Sequence, residues 1–316
     1  MNKILCIGEA LIDMVCTDKD MPLSKAEHFL KKPGGAPANV AAAIGALGGN
    51  VTMLAKVGND PFGEQLIEVL QQFDVCTEFV FKDKALFTTM AFVSLLQNGE
   101  RDFVFNRGAD GYLNTNEIDA VKMNDYSIIH FGSATAFLSG DLQQAYFYLF
   151  NKAQAQNIFT SFDPNYRHLL FHDKKDSFIK QSWQFLDKVN FFKLSDEEAL
   201  LLTGATTIED SVVILSKKTK AVFTITLGAK GSLLRVQDFI TTIPAVPANV
   251  VDTTGAGDSF TGAVLFQLQK KSPAEIKTIS AGDWIDIISK ANSIAARTCE
   301  HYGAMEAFLF LKNDKQ

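Results

Sequence analysis

Six short runs rich in Ile, Val and Phe punctuate the chain, each ending in a glycine or a polar cluster, with helix-length amphipathic stretches between them. ILCI leads into Gly8-Glu9, VTMLAKV into Gly58-Asn59-Asp60, and SIIHF into Gly132-Ser133. IFTSF leads into Asp163-Pro164-Asn165, NFFKL into Ser195-Asp196-Glu197-Glu198, and VFTIT into Leu227-Gly228. A run that is apolar on both faces suits a strand buried on both sides, as a parallel sheet requires. Helices are predicted over residues 37–47, 61–73, 142–156, 195–202 and 258–270, with Pro37 in a first turn and Asn59-Asp60 as a cap. This alternation gives a doubly wound α/β sheet, with ligands beyond the carboxyl ends of the strands, where the polar clusters fall. The length of 316 residues suits one large α/β domain or two ordinary ones. With no linker, low-complexity segment or repeat, residues 1–316 are read as one domain.

Two segments, about 10–33 and 87–107, break the rhythm with alternating runs and no helix between. FTTMAFVSLL is followed by Gln97-Asn98-Gly99-Glu100 and RDFVFNR, and Asn-Gly between strand-like runs signals a hairpin. By period two, Phe103, Phe105 and Arg107 share one face. A small β-layer over the sheet edge accounts for both segments, with that aromatic-plus-Arg face turned toward a cleft. An edge hairpin packing its Phe residues on the core fits the periodicity equally well.

Charge and cysteines narrow the function. The 30 basic and 36 acidic side chains leave a net charge of −6 and a pI near 5.4. Unspecific attraction to nucleic acid or an anionic membrane is therefore not expected, although a small anion in a local positive pocket is compatible. Cys6, Cys16, Cys76 and Cys299 are scattered, without a C-x-x-C pair, and read as reduced thiols. Glu9 and Asp13 interrupt any signal-peptide core, and no apolar run approaches the ~20 residues of a membrane helix. The expectation is a soluble cytoplasmic protein whose partners are small molecules.

The most specific string is Val250-Val251-Asp252-Thr253-Thr254-Gly255-Ala256-Gly257-Asp258-Ser259-Phe260-Thr261-Gly262. A glycine turn opening a helix presents successive N–H groups together with the positive end of the helix dipole, which suits an anion. Asp258 falls in that first turn, where the dipole and capping donors would favour its ionised form, ready to accept a proton from an attacking hydroxyl. Taken alone, an N-capping aspartate explains the position more simply. The full string, with Asp252 and two threonines ahead of it, is more specific.

A second string, Lys32-Pro33-Gly34-Gly35-Ala36-Pro37-Ala38-Asn39-Val40, lets the backbone approach a ligand and sets Asn39 on one side of a new helix, although turn punctuation explains it equally well. Commoner fingerprints are absent. There is no G-x-x-x-x-G-K-[ST] and no G-x-S-x-G, and Phe260 stands where a dinucleotide fold needs its third glycine. His168 and His172 are four apart without an intervening Glu, so they read as surface histidines rather than zinc ligands.

GGAPANVA at residues 34–41 with DTTGAGDSFTGA at residues 252–263 resembles the two signatures of the ribokinase-like (PfkB) carbohydrate kinases, at the family's spacing. Intermediate matches are Gly8…Asp13, Gly58-Asn59-Asp60-Pro61-Phe62-Gly63, SFDPNYR (161–167), KLSDEEA (193–199) and TLGAKG (226–231). HFGS (130–133), SFDPNYR and FNRGAD (105–110) look most like the fructokinase branch. The resemblance covers essentially the whole chain. It implies a ribokinase-like three-layer α/β/α fold with a small β-sheet lid, and ATP-dependent phosphorylation of a sugar hydroxyl, D-fructose to fructose 6-phosphate.

Asp258 matches the family's catalytic base, and Gly255, Ala256 and Gly257 match its anion hole. Asp13, Gly34, Gly35 and Asn39 match sugar-binding positions. Phe103 on the lid, Arg107 and Arg167 join them as expected sugar or phosphate contacts. Lys193, Thr226, Gly228, Gly231 and Asn292 match nucleotide positions. Asn165 and Glu198 match the residues that organise Mg²⁺ through water. A K⁺ loop would use Asp252 and Thr254 with carbonyls from Thr298, His301 and Gly303. The lid is expected to exclude water from the transfer, and a homodimer through the lid is expected by likeness to dimeric relatives.

The chain departs from the family twice. The Asn-x-x-Glu motif reads Ser195-x-x-Glu198, and Ala307 stands where some members offer a serine hydroxyl to the cation loop. Ribokinase, 2-keto-3-deoxygluconate kinase and nucleoside kinase activities stay open within the class. A catalytically silent sugar or nucleotide sensor would not need Asp258, Gly255 and Gly257, all of which are kept. An NAD-dependent oxidoreductase lacks its fingerprint here.

Overall fold

The structure, a computed structural model, describes residues 2–95 and 101–313. Its strands are β1 Ile4–Ile7, β2 Leu11–Cys16, β3 Phe29–Gly34, β4 Val51–Gly58, β5 Cys76–Asp83, β6 Met90–Leu95, β7 Arg101–Asn106, β8 Ile128–Phe131, β9 Phe159–Phe162, β10 Phe191–Ser195, β11 Val222–Thr226, β12 Ser232–Val236 and β13 Phe239–Ile243. Nine of them form one sheet in the order β13-β12-β11-β10-β9-β8-β1-β4-β5. The six apolar runs are β1, β4 and β8 to β11, and all their mutual pairings are parallel. The edge strands β5 and β13 carry no such signal, because they are half exposed and mix polar with apolar residues.

Alternate side chains of β1 serve two separate cores. Ile4 and Cys6 pack with helices Ala36–Ala46, Ala256–Leu268, Ala281–Thr298 and Met305–Asn313 on one face. Leu5 and Ile7 pack with Asp141–Ala155, Lys175–Leu186 and Asp196–Thr203 on the other. This is the expected three-layer α/β/α arrangement, and the helices fall where spacing predicts them. Asp60 caps Pro61–Gln72 as expected, its side chain accepting the N–H groups of Phe62 and Gly63. The chain runs from β1 outward through β4 to β5, then returns to β8 on the opposite side of β1. The crevice at the carboxyl ends of β1 and β8 is therefore the topological switch point, where open α/β sheets bind ligands.

The two rhythm-breaking segments form a second sheet in the order β3-β2-β6-β7. Both hairpin pairs are antiparallel and β2 runs parallel to β6. The turn Gln97-Asn98-Gly99-Glu100 lies outside the described residues. Register sets Asp13, Ala91 and Phe105 in one row and Val15, Val93 and Phe103 in the next, on the same face. The rings of Phe103 and Phe105 stack 6.2 Å apart, and neither joins a core cluster. The aromatic pair thus shares the face of Asp13, which answers the edge-hairpin alternative. Arg107 does not continue that face, because β7 ends at Asn106 and the guanidinium turns to the carbonyls of Thr135 and Ser139.

Among the described residues no single helix is long and apolar enough to cross a membrane. All four cysteines are unpaired.

Candidate active site

The helix Ala256–Leu268 begins at Gly255, whose φ of 79° is the left-handed conformation that favours glycine. A β-carbon there would lie 2.5 Å from Ala304 Cβ, so side-chain space is also denied. The N–H groups of Gly255, Gly257 and Asp258 have no partner among the described residues, while the Ala256 N–H turns back to the Thr253 carbonyl at 3.2 Å. Three open donors thus sit at the positive end of the helix dipole.

Gly262 and Ala43 let this helix cross Ala36–Ala46 closely, since a β-carbon on Gly262 would come 2.8 Å from Ala43 Cβ. The two N-termini therefore meet, and Asn39 Nδ2 donates to Asp258 Oδ2 at 2.8 Å. Asp258 is only 8% exposed. Burial pushes its pKa up to about 6; Asn39, Arg167 and Lys193 oppose the shift and Asp163 adds to it. Burial thus works against ionisation at this helix end, and the side chain caps no helix N–H.

The sugar-binding candidates gather next to this acid. A β-carbon on Gly34 would fall 2.2 Å from Asp13 Oδ2, and Gly35, with φ 102°, lets the Glu9 carbonyl pass 2.5 Å from where its own would sit. Burial raises the Asp13 pKa to about 6, against Arg167 and Lys32 and with help from Glu306. The exposed Arg167 acts electrostatically on both Asp13 and Asp258. Arg107 donates through Nη1 and Nη2 to the Ser139 and Thr135 carbonyls, and its Nε lies 3.5 Å from Asp110.

Among the nucleotide-position candidates, Lys193 on β10 pairs with Asp163 at 3.0 Å, and Thr261 from the Asp258 helix also donates to Asp163 at 3.4 Å. Burial works against the Lys193 ammonium, but Asp163 and Glu198 outweigh it and hold the pKa above its usual value. Lys193 Nζ lies 3.2 Å from where a β-carbon on Gly257 would sit, which sets the ammonium against the open amides. Thr226 donates to the Leu194 carbonyl. Gly228 and Gly231 take positive φ, and Gly231 lets residues 243–245 pass over it. Asn292 is fully engaged, donating to the Ile243 and Pro244 carbonyls and accepting the Ser232 hydroxyl, so it holds the groove wall in place.

Metal candidates form two groups. Asn165, at φ 48°, donates to the Gly132 carbonyl and keeps its own carbonyl oxygen for other partners. Ser195 and Glu198 form a capping box, and Glu198 also accepts the Tyr166 N–H. Each carboxylate oxygen of Glu198 thus accepts one backbone N–H and keeps a lone pair for a water or a cation. Among the described residues no group of three or more His, Cys, Asp or Glu could hold a metal. At the other group, Asp252 accepts from Thr254 N–H and hydroxyl and from the Gly303 N–H at 2.8 Å. The Cys299 carbonyl accepts the N–H groups of Val251 and Asp252, so the 252–254 and 298–303 segments are joined. There the Thr298 carbonyl accepts the His301 N–H, and the His301 ring stacks on Phe310.

A polar cleft of about 290 Å³ connects Asn165, Arg167, Lys193, Ser195, Glu198, Gly255, Gly257 and Asp258. Three buried acids escaped the sequence reading. Glu9 and Asp163 each stand just past the carboxyl end of a strand, and Asp110 follows the FNR string, so position after a strand was the available signal.

Open amides at a helix N-terminus, a charged lysine beside them and a buried acid with a raised pKa are groups that suit phosphoryl transfer to a hydroxyl. The family described as "pfkB family carbohydrate kinase" matches residues 1–309, and the chain belongs to that family. It is 36% identical over 268 residues to "Probable fructokinase-2" of Arabidopsis thaliana, covering 84% of this chain and 81% of the relative. It is 34% identical over 305 residues to "Fructokinase-1" of Zea mays, covering 96% and 93%. Among solved structures, a fructokinase with bound ATP from Xylella fastidiosa superposes with a TM-score of 0.84 at 27% identity, covering 99% of this chain and 98% of that one.

Proposed function

We propose that this carbohydrate kinase is a fructokinase, transferring the γ-phosphoryl of ATP to the 6-hydroxyl of D-fructose. The observation that carries the catalytic part is the Asn39–Asp258 hydrogen bond at the mouth of the open-amide turn. The fructokinase relatives support the sugar, and the ATP-bound Xylella fastidiosa enzyme supports the nucleotide.

In this reading Asp258 accepts the proton of the attacking hydroxyl as that oxygen closes on phosphorus. A pKa near 6 suits a base at neutral pH, since it is mostly ionised yet basic enough to take the proton. Asn39 fixes the orientation of the carboxylate. The amides of Gly255, Gly257 and Asp258, with Lys193, supply positive potential to the transferring group, which is where charge accumulates. Asp13, with the Gly34-Gly35 backbone, holds sugar hydroxyls, while Arg167 faces sugar or phosphate. Phe103 and Phe105 close the apolar side.

The oxygen donors of Asn165 and Glu198 fit Mg²⁺ held through water, and the ion would neutralise phosphate charge. Asp252, Thr254 and the 298–303 carbonyls supply the all-oxygen donor set that K⁺ takes. We read the small sheet as a lid inserted in a single kinase domain. The half-exposed Leu30 and Val104 on its edge strands support pairing with a second copy, and four free thiols support a reducing, cytoplasmic setting. The test is an ADP-release screen over D-fructose, D-ribose, 2-keto-3-deoxygluconate and adenosine, with and without K⁺. Preference for any substrate other than fructose would overturn the assignment.

A further inference from the structure

One buried polar cluster links the two sheets beside the Asp60–Thr88 hydrogen bonds. Glu9 follows β1 and is 1% exposed. Its Oε1 accepts the N–H groups of Ala36 and Ala134, at 3.2 and 3.1 Å, and its Oε2 accepts the Ser133 hydroxyl at 2.5 Å. Thr135 Oγ1 lies between two carboxylates, 3.4 Å from Glu9 Oε2 and 2.8 Å from Asp110 Oδ2. Asp110 also accepts the hydroxyl of Thr89, whose oxygen takes the Gly108 N–H.

Ser133 and Thr135 belong to the loop after β8 of the large sheet. Thr89 and Asp110 belong to the stems of the small one, so the contacts span the joint between them. Arg107 braces the same joint, donating to the Thr135 and Ser139 carbonyls. Thr135 has one hydroxyl proton and faces two carboxylates. A proton kept on Glu9 satisfies both, with Glu9 donating to Thr135 and Thr135 to Asp110. Burial pushes the Glu9 pKa upward, Ser133 and backbone donors oppose it, and Asp110 adds to the rise. Glu9, Thr135 and Asp110 do not line the cleft around Asp258.

We propose that the Glu9–Thr135–Asp110 chain is the joint that sets the small sheet over the cleft, making all three positioning residues that favour transfer to sugar over transfer to water. This rests on reading the small sheet as a lid. A buried polar chain of this kind rigidifies when complete and loosens sharply when one member is lost. The experiment compares Thr135→Val, Glu9→Ala and Glu9→Gln with wild type by amide hydrogen exchange of the ligand-free protein and by ADP and fructose phosphate formed per turnover.

Thr135→Val and Glu9→Ala should speed exchange in β2 and β6 while leaving β9 and β10 unchanged. They should also raise the KM for fructose by about tenfold with a smaller change in kcat, and release more ADP than sugar phosphate. Glu9→Gln, which keeps a neutral donor, should restore the coupling that Glu9→Ala loses. Unchanged exchange in β2 and β6 would overturn the proposal, as would exchange that rises equally in β9 and β10. The exchange arm needs no substrate. A wild type that prefers another sugar would refute only the fructokinase reading.

Discussion

Asn39 Nδ2 donates to Asp258 Oδ2 at 2.8 Å, across 219 residues of sequence, and is the direct hydrogen-bond donor to that buried carboxylate. Hydrogen bonding to the charged form stabilises it, so Asn39 holds the pKa lower than burial alone would. The kcat/KM of the wild type should fall on the acid side with an apparent pKa near 6. Asn39→Leu should move that limb to higher pH. A limb that stays in place would mean that Asp258 is not the group titrating.

Asp258→Asn should lower kcat by at least ~10² while leaving ATP affinity nearly unchanged, as measured by steady-state kinetics and calorimetric titration.

The same substitution should stabilise the fold at neutral pH. The folded pKa of about 6 exceeds the unfolded 3.8. The contribution of this acid is therefore fully present below the unfolded value and lost as pH rises through the folded one. At pH 7 the loss reaches up to about 3 kcal/mol, and the asparagine avoids it. Chemical denaturation should show the variant more stable at pH 7, with the gain shrinking toward pH 4.

Two glycines of one turn should respond differently to alanine. At Gly255 the φ of 79° and the Ala304 wall both reject a β-carbon, so Gly255→Ala should reduce kcat by about 10² through displaced amides. At Gly257 the nearest obstacle is the end of the Lys193 side chain at 3.2 Å, which can move. Gly257→Ala should chiefly raise the KM for ATP. Equal kcat losses would contradict the geometry.

Lys193 and Asp163 are both buried and 3.0 Å apart. Lys193→Met should cost ~3–5 kcal/mol by stranding the carboxylate, and adding Asp163→Asn should recover part of it. Urea unfolding of the two single variants and the double variant gives the coupling. An additive double variant would deny the pair.

Strands buried on both faces were legible because Ile, Val, Leu and Phe dominate them despite Lys193 and a few hydroxyl residues, whereas β5 and β13 are half exposed and carry no such signal. Asp258 and the Gly255 turn were legible because a helix start with glycines has few local explanations. The raised pKa of Asp258 was not, since it comes from burial among segments distant in sequence. Asn292 carries the polarity of a ligand contact, but the fold engages its amide with backbone carbonyls, and Arg107 turns Nη1 and Nη2 to such carbonyls as well. Glu9 was legible only as part of the polar cluster after β1, because one acid after a strand resembles a turn. Its four hydrogen-bond partners come from two distant segments, residue 36 and residues 133–135.

The most direct measurement is product formation from ATP and D-fructose, with ADP release followed enzymatically and the sugar phosphate identified by phosphorus NMR. Turnover of fructose ahead of D-ribose, 2-keto-3-deoxygluconate and adenosine, with phosphate on the 6-oxygen and loss of turnover in Asp258→Asn, is the predicted result. Fructose left untouched, or full turnover in that variant, would contradict the account.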